Sequence, residues 1–195
     1  YKVRLILSFM YWKQLARALR SEIRAVADII RHHRDALQKQ NEDMPLEEHA
    51  APVLLLHGYL VGAPSLRGQE RYLRKQGFAA FSVPYAFWED LRKVRKSLEP
   101  TLDALCQQYG KKVAIVGHSE GGLVSYSLAQ QRPESIDRII ALGTPFHGTW
   151  AAYLNPFVES ARQMLPKSDY LQEIHTQPSP SVPVISIYTR YDELV

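Results

Sequence analysis

Cysteine is almost absent from this chain of 195 residues: Cys106 stands alone, so no disulfide can form within it. Its neighbours Leu102 and Leu105 mark it as a packing residue rather than a reactive thiol. A long apolar run is missing from the start of the chain. Val3 to Trp12 is interrupted by Arg4 and Ser8 and falls short of the roughly 20 residues a bilayer span needs. It also lacks the small-residue cleavage site of a signal peptide. Charge is mild at +4, with no basic-aromatic block beside it, which excludes nucleic acid as the expected partner. Neither H-E-x-x-H nor a Walker sequence occurs, so metalloprotease and P-loop chemistry have no support and no metal or cofactor is expected.

What is present suffices for one domain with a real core, at 46% hydrophobic residues. Over residues 1–40, Trp12, Leu15, Leu19, Ile23, Val26, Ile30 and Leu37 fall on one helical stripe. Basic residues outnumber acidic ones there. This amphipathic helix packs on a protein surface or lies on a membrane, and the second option is the only pointer to a compartment. Residues 41–51 read as a polar linker, giving an N-terminal segment 1–50 and a main domain 51–195. From Pro52 onward strands alternate with helices. Strands are expected at 52–56, 78–83, 112–116, 137–142 and 182–188, and helices at 65–76, 87–109 and 120–131. The long helix 87–109 carries Pro100 as a possible break. That alternation implies a mostly parallel sheet covered on both faces, with every strand C-terminus along one edge.

The central feature is Val113-Ala114-Ile115-Val116-Gly117-His118-Ser119-Glu120-Gly121-Gly122. An apolar strand runs into G-x-S-x-G and a helix follows, the order that presents a nucleophilic serine on a sharp turn. Gly117 and Gly121 leave room for that turn. Acyl transfer also needs backbone N–H groups to hold a developing oxyanion. His57-Gly58-Tyr59 follows the first strand and brings such a donor. The donors assigned are the N–H groups of Tyr59, with Leu60 as the fallback, and of Glu120, the residue after the serine. His57 is read as shaping the loop, and His118 and His147 as elbow and rim residues. Asp192, after the last strand, is the acid expected to orient a base, with Glu193 as runner-up.

Together His57-Gly58, Gly117-His118-Ser119-Glu120-Gly121-Gly122, Gly143-Thr144-Pro145-Phe146-His147-Gly148-Thr149 and Tyr191-Asp192-Glu193-Leu194-Val195 resemble the motifs of α/β-hydrolases, in particular bacterial lipases and esterases. The resemblance covers about residues 52–195. It implies an α/β-hydrolase fold, Ser119 as nucleophile, Asp192 as acid, and a histidine base one strand beyond the acid. It also implies a lipophilic ester or other acyl substrate, with acyltransferase or thioesterase action by the same site left open. Here the sequence departs. The seven histidines, His32, His33, His49, His57, His118, His147 and His175, all precede Asp192. Either the last strand and the base lie past Val195, or His175 or His147 has taken the role. The first is expected here, and a start at Tyr1 fits a fragment. A non-catalytic lipid- or partner-binding protein on the same fold is the remaining alternative. Residues 149–181 form an apolar insertion, read as a lid over the serine, a crossover helix on the sheet, or both. The 195-residue chain is therefore expected to turn over p-nitrophenyl esters feebly, since losing the base of a serine triad costs on the order of 10⁶ in turnover. Full activity abolished by His175→Ala or His147→Ala would show the base to be internal.

Overall fold

The computed structural model describes residues 50–188. The helix read over residues 1–40, the linker and the stretch holding Asp192 and Glu193 lie outside the described residues. Strand β1 (Pro52–Leu56) is followed by a 3-10 turn (Ala63–Leu66), helix α1 (Arg67–Lys75) and β2 (Ala79–Val83). Helix α2 (Leu91–Tyr109), β3 (Val113–His118), α3 (Glu120–Gln131) and β4 (Ile136–Leu142) come next. A 3-10 turn (Trp150–Leu154), α4 (Glu159–Gln163), α5 (Asp169–Thr176) and β5 (Val184–Ile187) complete the described part.

The strands form one five-stranded sheet in the order β2-β1-β3-β4-β5, and each neighbouring pair is parallel. That order reverses direction between β1 and β3. The crossover from β1 leads outward on one side and the crossover from β3 on the other. Loops leaving the C-terminal ends of β1 and β3 therefore diverge and open a crevice between them, the usual ligand position in open parallel sheets. Hydrophobic patterning follows from the same layout. All of Pro52-Val53-Leu54-Leu55-Leu56 is buried, as a strand inside a two-sided sheet must be. Leu54 and Leu56 join the larger core beneath α2, α3 and α5. Val53 and Leu55 join a smaller cluster with Leu66, Ala80 and Leu73, under α1. Among the described residues α1 alone covers this second face, and Ile185 and Ile187 on β5 stand half exposed.

Helix α2 shows how local sequence sets local structure. Leu91, Val94, Leu98, Leu102, Leu105 and Tyr109 recur at helical spacing and are buried together. The helix begins at Leu91 rather than Phe87, because the Asp90 carboxylate accepts the Arg92 N–H at 2.7 Å and caps it. Pro100 sits inside the helix without ending it. It faces solvent, so its ring meets no neighbouring element. Gly110, in the left-handed region at φ 60°, stops the helix. Strand β3 runs two residues further than its apolar run suggests. Gly117 and His118 still pair with Ala141 and Leu142, which carries the regular sheet up to Ser119.

Leu98 is fully buried beneath the sheet, so Leu98→Ala is expected to cost about 2–5 kcal/mol by urea denaturation. The exposed Tyr72→Ala on α1 should stay within about 0.5 kcal/mol.

Candidate functional site

Ser119 has φ 52° and ψ −117°. A residue with a Cβ resists positive φ, so the surroundings must impose it. The constraint is close packing of backbone. A Cβ on Gly117 would lie 2.6 Å from Gly121 carbonyl atoms and from the Cα of Gly122. A Cβ on Gly121 would lie 2.5 Å from the Leu56 carbonyl oxygen and 2.6 Å from that of His57. A Cβ on Gly122 would fall 1.9 Å from Thr144 Oγ1. The start of α3 is thus pressed onto the ends of β1 and β3 and onto the loop after β4. The Ser119 N–H donates to the Leu142 carbonyl at 2.8 Å, and the Gly122 N–H to the Ser119 carbonyl at 3.0 Å. Ser119 stays partly exposed at the crest of the sheet.

The loop after β1 lies against this turn. A Cβ at Gly58 would sit 3.1 Å from the Ser119 Cβ and 2.8 Å from His118 Nδ1. His118 itself is exposed beside the serine. His57 is buried, and its ring stacks on Tyr85 at 3.9 Å between centroids. Its Nδ1 donates to the Gly58 carbonyl at 3.0 Å and its Nε2 accepts the Tyr85 N–H at 3.4 Å. Those partners fix a neutral ring, and burial lowers its pKa below the ordinary histidine value. The Tyr85 hydroxyl in turn donates to the His57 carbonyl. Tyr59 packs edge-on to Phe87 and its hydroxyl accepts from Asn155 Nδ2 at 2.8 Å, joining this loop to the 149–181 insertion. Leu60 takes the positive φ of 61° that turns the loop outward.

Glu120 is wholly buried at the first turn of α3, and neither carboxylate oxygen has a hydrogen-bond partner. Burial pushes its pKa up to about 8. The Ser160 hydroxyl nearby pulls the other way, but its proton goes to the Phe87 carbonyl. Glu120 is therefore largely a neutral acid at pH 7.

The histidines of the rim meet each other. His147 and His175 are both exposed, and their rings stack at 5.4 Å. His175 Nε2 is 2.7 Å from the Phe146 carbonyl, to which it donates. The structure thus brings together Ser119, Gly58, Tyr59, Glu120, Gly117 and Gly121, and pairs His147 with His175. Asp192 lies outside the described residues. Sequence reasoning missed Tyr85, Thr144, Asn155 and Ser160. Tyr85 had a usable signal, since it directly follows a strand C-terminus. The others are placed by tertiary packing alone. The insertion serves both sides: Ala161, Met164, Tyr170, Leu171 and Ile174 enter the main core, while Trp150, Tyr153, Leu154 and Phe157 stand exposed. Among the described residues no cluster of histidine, cysteine, aspartate and glutamate could hold a metal ion, and no helix is long and apolar enough to cross a membrane.

A parallel sheet in this order, with a glycine-walled strand-serine-helix turn at its crest, defines the α/β-hydrolase fold. Comparison with known proteins agrees. A model of the PGAP1-like alpha/beta domain matches residues 92–193, and the chain belongs to that family. The AB hydrolase superfamily protein YfhM of Bacillus subtilis (strain 168) is 28% identical over 88 residues, 45% of this chain and 27% of that protein. The chain thus spans about a quarter of the length of that relative. Among solved structures, Aspergillus fumigatus lipase B superposes with a TM-score of 0.68 at 19% identity, over 80% of this chain and 42% of the lipase. The mature Bacillus licheniformis lipase BlEst2 gives 0.60 at 18% identity, over 75% and 68%.

Glu120 carries a prediction about pH. Its folded pKa exceeds the unfolded value, so the folded state holds the extra proton between about pH 4.5 and 8. Its contribution to stability is complete below that window and is lost as pH rises through it. Thermal melts across pH 4–9 should show Glu120→Gln declining less over this range than the parent chain. Parallel declines would show that Glu120 ionises normally.

Proposed function

We propose that this chain is the nucleophile-bearing part of a serine hydrolase acting on carboxylic esters of lipophilic acids. The observation that carries the reading is the backbone of Ser119, held at positive φ between three glycines that tolerate no side chain, with Gly58 against its Cβ. A strained, well-braced serine at a strand C-terminus is a costly arrangement to maintain without a use. In this reading Ser119 Oγ attacks the ester carbonyl carbon, and the carbonyl oxygen becomes an oxyanion received by the N–H groups of Tyr59 and Glu120. The alcohol leaves with a proton, and water then releases the acid from the acyl-serine.

Asp192 is assigned as the acid. His175 is engaged with the Phe146 carbonyl and His147 with the His175 ring, so the base is assigned to a histidine after Asp192, where the resemblance places it. The lipases among the structural neighbours and the apolar side chains of the insertion favour a lipophilic acyl group. Each CH₂ buried there would contribute about 0.8 kcal/mol.

A fluorophosphonate probe tests this on a chain carried past Val195, so that the implied base is supplied. Labelling should be lost in Ser119→Ala, with p-nitrophenyl butyrate turnover falling by about 10⁶. Asp192→Asn should reduce turnover by about 10⁴. Absence of labelling in the parent chain would favour a binding protein on this fold.

A further inference from the structure

The loops that leave the C-terminal edge of the sheet share a property that the chemistry at Ser119 does not require. No Asp, Glu, Lys or Arg occurs between Glu48 and Arg67, between Lys75 and Glu89, or between Arg138 and Glu159. The loop after β3 adds only Glu120, which is buried and largely uncharged at neutral pH. Charge collects instead toward the other end of the strands. Lys111 and Lys112 precede β3, and Asp137 and Arg138 lie near the start of β4. Arg132 there gathers Asp103 at 2.5 Å and Glu134 at 2.7 Å.

The uncharged edge is also where large apolar side chains stand in water. Phe157 is 96% exposed, Leu154 78% and Trp150 73%, and Trp88 and Leu60 are more than half exposed. They belong to the loops after β1, β2 and β4, and these loops are tied together. Asn155 bonds Tyr59, Tyr59 packs on Phe87, and Phe87 on Trp88. Apolar groups of this size rarely stay exposed together without a partner. A protein partner ordinarily meets a polar rim with arginine and hydrogen-bonding groups. Here the rim has no formal charge, and tryptophan and tyrosine suit the boundary of a bilayer, where an apolar ring meets a polar headgroup.

We infer that the C-terminal edge of the sheet docks end-on into a lipid surface of no net charge, with Trp150, Leu154 and Phe157 entering and Trp88 and Leu60 bracing the other side. This extends the proposed function, because it sets the crevice beside Ser119 against the lipid, but the docking itself needs no turnover. It also differs from the sequence-based expectation of membrane contact through the basic residues 1–40, which calls for anionic lipid.

The test is flotation of the full chain carrying Ser119→Ala with phosphatidylcholine vesicles. Binding should persist at about 0.5 M salt, where exposed charges are screened. Joint replacement Trp150→Ser, Leu154→Ser and Phe157→Ser should weaken it roughly tenfold or more. Trp88→Ser, in a separate loop, should weaken it less. These residues are exposed, so melts of the variants should match the parent and exclude misfolding as the cause. Equal binding by the triple variant would overturn the inference. So would binding confined to anionic vesicles and lost in salt, which would point to residues 1–40. Self-association abolished by the triple variant, with no vesicle binding, would assign the edge to a second copy and overturn it too. Docking by a chain that hydrolyses no ester with Ser119 restored would leave this inference standing and remove the proposed function.

Discussion

The packing of α3 against the ends of β1 and β3 depends on bare backbone meeting bare backbone. Gly121 rests on the Leu56 and His57 carbonyls, and Gly117 on Gly121 itself. No flexible side chain stands at these contacts to give way, so a single methyl group would push a helix off a sheet. From that contact follow the sharp turn at Ser119, the exposure of its side chain, and the nearness of the loop after β1. Thr144, wedged at Gly122, extends the constraint to the loop after β4. Three loops are thereby fixed to one short helical turn.

Electrostatics at that turn run against the usual preference. A helix N-terminus favours a negative side chain, and Glu120 occupies the first helical position. Burial outweighs the dipole and keeps the carboxyl largely protonated near neutral pH. The helix end therefore remains uncompensated, with its N–H groups directed toward the crevice. The stacked His57–Tyr85 pair, neutral as well, supports the neighbouring loop without adding charge. The crest of the sheet is built from groups that orient others while carrying little field of their own.

Much of this was legible in the sequence because it depends on local rules. The continuous apolar run Pro52–Leu56 reads as a doubly buried strand, and the glycines around Ser119 read as a turn with no room for side chains. Boundaries were less legible where capping competes with periodicity. Phe87 and Trp88 look helical by pattern, yet the Asp90 cap starts the helix after them. The neutral state of Glu120 and the stack of Tyr85 on His57 depend on what surrounds them in space. Spacing along the chain carries no trace of either. Exposure of Trp150 and Phe157 was equally hidden, since an apolar segment over a sheet reads the same whether it faces inward or out.

The positive φ at Ser119 has one more consequence. Glycine is the residue that occupies such a conformation without steric penalty, and the chain instead carries a side chain there. Folding and reactivity thus make opposing demands on a single position. Selection for robustness alone would drift that residue toward glycine, and retention of the hydroxyl measures how strongly its use is favoured over a more relaxed chain.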